Sequence, residues 1–276
     1  MPVTLGELNT LTTPLSIMRF WELICTCLCF SLASSMATLP SPVTFRPFCM
    51  VTWCFFFTLT FLIIAINFIQ FHSLLPLSWK NLTATVASLG ALMSLAATFA
   101  FPWVLVSAYE FKGPFITVGS FFATLAYAVE LHLIRTQGAG QQRGYMSSVP
   151  GFLKTLQVFG SCTALVLLGD QAAWTWQRSA VAASYAVCLL ASLGTVLVMI
   201  GDCAARCPVP FDRLLAGLTL LGVFTYMTAT VVCFSRVLQE KDMNLVMCCE
   251  AAIVCITLLV YTVDLVFSVK LLCDRN

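Results

Sequence analysis

The chain has 276 residues, 60% of them hydrophobic and only 9% charged, with a mean hydropathy of +0.94 and a formal net charge of +2. Its 14 basic and 12 acidic side chains cannot clothe a soluble domain of this size, for which about a quarter charged is usual. The composition excludes a cytosolic enzyme, a nucleic-acid binder, a disordered chain and a secreted disulfide scaffold, and leaves a polytopic membrane protein.

A bilayer core needs about 20 apolar residues in a helix. Eight segments meet that length, roughly 17–36, 48–69, 83–106, 115–134, 152–172, 180–201, 213–235 and 246–270. The separators carry breakers and charges: Pro40 and Pro42, Pro76, Lys112 to Pro114, Gly138 to Gly144, Pro208 and Pro210, and Glu240 to Asp242. Backbone groups in lipid must pair within the segment, so helices are expected, and the alternating ten-residue strands of a barrel are absent. The expected fold is an all-α membrane protein. One alternative takes residues 19–37 as a signal peptide cleaved after Ser35-Met36-Ala37; the duplication below requires this segment as a helix.

With eight spans, nine of the 14 Lys and Arg flank the side that holds both termini, among them Arg19, Lys80, Arg135, Lys154 and Lys270. The excess places both termini in the cytosol. Trp21 and Trp79 fall near that surface, and Trp53, Trp103, Trp174 and Trp176 near the opposite one, as expected of indoles anchoring at membrane interfaces.

The two halves repeat. Tyr127-Ala-Val-Glu130-Leu matches Tyr261-Thr-Val-Asp264-Leu, 134 positions later; Met18-Arg19-Phe-Trp-Glu22 matches Leu153-Lys154-Thr-Leu-Gln157, 135 later; Leu89-Gly90 and Ala97-Thr98 recur as Leu221-Gly222 and Ala229-Thr230, 132 later. Three matches in one order at nearly one offset indicate tandem four-helix units, and an even number of spans makes the repeat parallel. The expected organisation is a short cytosolic leader over 1–16, a first unit over 17–135, a linker over 136–150, a second unit over 151–272 and a tail over 273–276. Charges at membrane depth usually face the bundle interior and pair. Arg19 is expected to contact Glu130, and Lys154 to contact Asp264, as packing clamps; Glu22 competes for Arg19 at i+3. A proton or ion relay is the functional alternative.

Several further residues carry readings. Gly90, Ser94 and Thr98 form a small-residue face on the third span, suited to association with another helix or to packing within its own bundle. Cys203, Cys207 and Cys273 lie at the cytosolic edge and are candidates for palmitoylation, with unmodified cysteine the alternative. Cys49 with Cys248 or Cys249 would be sided correctly for a disulfide. Of the two histidines, His72 and His132, neither has ligand neighbours at metal spacing, and Cys203-x-x-x-Cys207 has no nearby His. No HExxH, GxSxG, Walker or dinucleotide motif occurs. No catalytic residue, metal or cofactor is therefore expected.

Val51-Thr-Trp53-Cys-Phe55, Leu75-Pro76-Leu-Ser-Trp79-Lys-Asn81, Gly144-Tyr-Met-Ser-Ser-Val-Pro150-Gly-Phe-Leu-Lys154, Pro208-Val-Pro210-Phe211 and Tyr261-Thr-Val-Asp264-Leu-Val-Phe-Ser268 resemble the myeloid-associated differentiation marker family over nearly the whole chain. The resemblance implies two tandem MARVEL domains of four transmembrane helices each. It also implies a non-enzymatic role in organising cholesterol-rich ordered membrane, with links to vesicle traffic and the cortical cytoskeleton, at the plasma membrane or on vesicles. Its partners would be membrane lipid, cholesterol included, and further copies or other membrane proteins. The rival class is a small-solute or ion transporter using Asn67, Glu130 and Asp264; against it, the strong polar residues gather toward one face, whereas transport sites lie near mid-membrane.

Asn81-Leu-Thr83 is a glycosylation sequon that the predicted topology places in the cytosol. It is expected to stay unmodified; a glycosidase-sensitive gel shift that disappears in Asn81→Gln would reverse the orientation.

Overall fold

The computed structural model describes residues 12–36, 44–70, 76–105, 111–137, 144–169, 175–201, 203, 211–239 and 245–273. Eight α-helices account for nearly all of them: α1 (Pro14–Ser34), α2 (Phe45–Phe68), α3 (Trp79–Leu105), α4 (Lys112–Gln137), α5 (Val149–Gly169), α6 (Trp176–Ile200), α7 (Phe211–Gln239) and α8 (Leu245–Cys273). Each is long and apolar enough to cross a membrane. The described chain is all-α and multi-pass, and no described residue lies in a strand.

Local chemistry sets the ends. Thr13 caps α1 by accepting from the Ser16 amide at 3.3 Å, and Pro14 opens the helix where its missing N–H costs nothing. Thr175 caps α6 in the same way through the Arg178 amide. Pro102 is tolerated within the last turn of α3. Inside the spans, Ser and Thr hydroxyls return to the carbonyl one turn back, as Thr26 does to Glu22 at 2.7 Å and Thr98 to Ser94 at 2.8 Å. These bonds leave few polar groups facing lipid unpaired.

The chain divides into two compact units, Met1–Ser147 and Ser148–Asn276. In the first, α1 packs on α2, α2 on α3, α3 on α4, and α4 returns to α1. In the second, α5 to α8 follow the same closed order. Each unit is a ring of four helices with first and last as neighbours. Helix α4 extends into the stretch expected as linker, and α5 starts before its end. Between them a 3₁₀ turn, Tyr145–Ser147, folds against α3; its Met146 amide donates to Asn81 Oδ1 at 3.1 Å. Asn81 is buried and engaged, a steric obstacle to glycosylation that is independent of sidedness.

The cores contain polar anchors as well as apolar side chains. In the first unit Tyr127 lies under Phe56 and Ile63, and its hydroxyl meets Thr60 Oγ1 of α2 at 2.9 Å. In the second, Tyr261 Oη meets Ser192 Oγ of α6 at 2.7 Å. The ring of each tyrosine lies flat against a glycine. A Cβ on Gly90 would come 2.8 Å from Tyr127 Cδ1, and one on Gly222 would come closer still to Tyr261 Cε1. Gly90 and Gly222 are needed because a tyrosine presses on the helix backbone there, so the repeated Leu-Gly and Tyr-x-Val-acid motifs are two halves of one contact.

Trp53 is a correction. Rather than anchoring at an interface, it is fully buried, with Nε1 donating to Ser120 Oγ at 3.2 Å and its ring edge-on to Phe101. Trp21 and Trp176 are exposed, as interface residues would be; Trp174 and the Trp103 side chain lie outside the described residues.

The glycine contacts predict a selective cost. Gly90→Ala and Gly222→Ala should each destabilise by about 1–3 kcal/mol through overpacking. Gly194→Ala and Gly217→Ala, whose added Cβ meets nothing within 4 Å, should be neutral or stabilise by up to about 1 kcal/mol from helix propensity. Thermal unfolding of the purified protein in detergent distinguishes the two classes.

Candidate functional site

The charged groups inside the spans form the candidate site. In the first unit, Arg19 Nε of α1 donates to Glu130 Oε1 of α4 at 2.6 Å, and both side chains are 3% exposed. In the second, Lys154 Nζ of α5 lies 2.5 Å from Asp264 Oδ2 of α8, with the two side chains 3% and 1% exposed. Each pair joins the first helix of its unit to the last. Glu22 follows Arg19 by nearly one turn and is fully buried as well.

The second pair has further ligands. Asp264 Oδ2 accepts from Gln157 Nε2 at 2.8 Å, and Thr219 Oγ1 of α7 accepts from Lys154 Nζ at 2.9 Å while lying 3.1 Å from the same carboxylate oxygen. Three helices therefore meet on one carboxylate. A buried ion pair is tolerable only when its remaining donors and acceptors are largely met; Thr219 does that for the Lys154 ammonium and Gln157 for Asp264 Oδ2, while Asp264 Oδ1 is buried without a hydrogen-bond partner. The position 132 residues before Thr219 is Ala87, so the first unit brings no hydroxyl there.

Two arginines missed as site residues form a second repeated device. Arg46 Nη2, at the start of α2, donates to the carbonyls of Ala33 and Met36 at 3.1 and 2.9 Å. Arg178 Nη2, at the start of α6, donates to the Leu168 carbonyl. Each guanidinium caps the C-terminal end of the preceding helix, whose last carbonyls have no partner within the helix and carry its negative dipole end. The signal was present: Arg46 and Arg178 stand 132 residues apart, the spacing of the Leu-Gly match.

A further correction concerns Glu250, buried near the start of α8, at the opposite end of the second unit from Asp264. Its Oε2 lies 3.8 Å from Arg236 Nη1, and Tyr185 Oη donates to its Oε1 at 3.4 Å. The strong polar residues therefore do not all gather toward one end.

The remaining candidates are placed as follows. Gly90, Ser94 and Thr98 face α4 of their own unit: Thr98 Oγ1 donates to Ser120 Oγ at 2.9 Å, and Ser120 Oγ to the Ser94 carbonyl at 3.1 Å. That face is filled internally. Cys273 ends α8 and is exposed; Cys203 is half-buried, its thiol 3.2 Å from the Gly201 carbonyl; Cys207 lies outside the described residues. Cys49, Cys248 and Cys249 are all free thiols, and Cys49 is buried with its sulfur directed at the Ala97 carbonyl. Asn67 is half-buried near the end of α2. His132 is exposed, and His72 lies outside the described residues. Among the described residues, no three His, Cys, Asp or Glu side chains are grouped to hold a metal. A narrow cleft in the second unit, with only about 10 Å³ of free volume, reaches Lys154, Gln157, Ser192, Thr219 and Tyr261.

Comparison with known proteins adds a name to this geometry. A myeloid-associated differentiation marker of Rattus norvegicus is 35% identical over 237 residues, covering 83% of this chain and 73% of its own length. The Xenopus laevis myeloid-associated differentiation marker homolog is 30% identical over 97% of this chain and 95% of its own. Human myeloid-associated differentiation marker-like protein 2 is also 30% identical, over 96% and 94%. No family model matches the chain, and no solved structure matches it significantly.

The geometry ranks substitutions at the second pair. Asp264→Ala strands the Lys154 ammonium in the core and should cost about 3–5 kcal/mol, with reduced yield of folded protein. Gln157→Leu removes only a neutral donor and should cost about 1–3 kcal/mol. Unfolding midpoints in a common detergent test that order, and equal losses would contradict it.

Proposed function

Because the chain belongs to the myeloid-associated differentiation marker family, we propose that it is a non-enzymatic organiser of cholesterol-rich, ordered membrane domains and of membrane–cortex or trafficking contacts, working through helix–lipid and helix–helix packing. The observation that carries this reading is the direction of its polar groups. Arg19, Glu130, Lys154 and Asp264 are spent on joining helices within each unit, while large apolar side chains such as Phe99, Phe115, Leu190, Leu259 and Val266 face outward. Such a surface meets lipid tails and other helices. Within this reading the four charges are structural clamps and each unit is a MARVEL domain. Cys273 and Cys203, together with Cys207, are acylation sites that would add affinity for ordered lipid, and the termini are cytosolic at the plasma membrane or on vesicles.

The cleft in the second unit is the feature that would suit a transporter. Its polar lining is already engaged: Lys154 with Asp264, Gln157 with Asp264, and Ser192 with Tyr261. A permeating solute would have to displace these bonds.

The test is reconstitution of the fluorescently labelled, purified protein into giant vesicles in which sterol-rich ordered and disordered phases coexist. Enrichment in the ordered phase or at its boundary is expected, with no solute flux above empty vesicles. Confinement to the disordered phase, or flux abolished by Asp264→Asn, would overturn the proposal.

A further inference from the structure

Glu22 is the one buried ionisable side chain at the two clamps that the pairing does not explain. It lies on α1, is completely shielded from solvent, and has its carboxyl beside Glu130 and Thr60, with no cation hydrogen-bonded to either carboxyl oxygen. The helices packed on α1 are α2 and α4. The titratable and polar groups that act on Glu22 are Arg19 and Cys25 of its own helix, Thr60 of α2, and Tyr127 and Glu130 of α4. Arg19 is the only cation among them, and it is already held by Glu130 at 2.6 Å.

The second unit shows what this position does. Gln157 is the counterpart of Glu22, 135 residues on, as Lys154 is of Arg19. Its amide nitrogen donates to Asp264 Oδ2, the counterpart of the Glu130 carboxylate. There the trio of cation, amide and carboxylate sums to zero charge. The first unit would carry one buried negative charge in excess if both of its carboxyls were ionised. An unpaired charge at such depth costs several kcal/mol or more, and a carboxyl so placed neutralises instead.

We infer that Glu22 and Glu130 together form a proton-binding site, one proton held between the two carboxyls and carried on Glu22, which donates to Glu130 as Gln157 donates to Asp264. A protonated carboxyl has one O–H donor and matches the shape of a glutamine amide, so the two units close with the same hydrogen-bond pattern and the same net charge. The proton belongs to the pair, since two carboxyls sharing a site do not both ionise. The site exists whether or not the protein organises ordered membrane. It concerns the full chain and requires no ligand other than a proton.

The test is infrared difference spectroscopy of the full-length protein in lipid nanodiscs at neutral pH, wild type against Glu22→Gln. The wild type should show a carboxylic-acid C=O band that E22Q lacks, with the carboxylate bands unchanged. E22Q should fold with the wild-type Tm, because glutamine already serves at this place in the second unit. Glu22→Ala should lose the same band but unfold at lower temperature, since it removes one of the donors to Glu130 and leaves a cavity in the core. If E22Q instead loses carboxylate intensity while the acid band persists, Glu22 is ionised and the inference fails. Failure of E22Q to fold where wild type folds would equally overturn it, because the neutral isostere would then not substitute.

Discussion

A charged side chain held within a bilayer-spanning helix must find its counter-charge inside the protein, because lipid offers none. The two ion pairs, Arg19 with Glu130 and Lys154 with Asp264, meet that requirement. Each joins the first helix of its unit to the last, and the proposed role of the pair is to hold that ring of four spans closed. With the ring closed, Tyr127 and Tyr261 reach across to hydroxyls on the second helix, and Gly90 and Gly222 admit their rings. Arg46 and Arg178 bind the carbonyls at the far ends of α1 and α5. What remains for the exterior is largely apolar.

The units solve one geometric problem with different chemistry. Arg19 brings a planar fork of donors, whereas Lys154 brings a compact ammonium, a difference that matters for what surrounds each. Around Lys154 the second unit supplies Thr219 and Gln157; around Arg19 the first supplies Ala87 and Glu22. At the other end, Trp53 bonded to Ser120 in the first unit corresponds in sequence to Tyr185 bonded to Glu250 in the second. Duplication has kept the register of contacts while the bonding groups have changed.

Much of the fold can be read from the sequence because lipid imposes simple rules: length sets the spans, and a rare charge within them stands out. The repeat offset singled out the four charges that the structure places in two pairs; that they act as clamps is the proposal. Glu250 is not legible in the same way because it lies close to a span end, where a charge in sequence looks solvated. Trp53 stands near an interface by its distance along the helix, but the helix face it occupies decides its burial, and α2 turns that face onto Phe101 and Ser120. Arg46 and Arg178 are visible at the repeat spacing, yet each stands beside a loop, where a cation in sequence looks solvated. The membrane role is less legible, since a surface that meets lipid tails needs only apolar side chains and carries no motif.

The central claim is that each unit is held closed by its buried first-to-last ion pair. A double-mutant cycle on Lys154→Met and Asp264→Leu, read as unfolding free energy in one detergent, measures it directly. Each single substitution leaves a buried charge alone and should cost about 3–5 kcal/mol, whereas the double variant replaces the pair by apolar groups and should recover most of that loss. Losses that simply add, with the double variant less stable than either single one, would contradict the account.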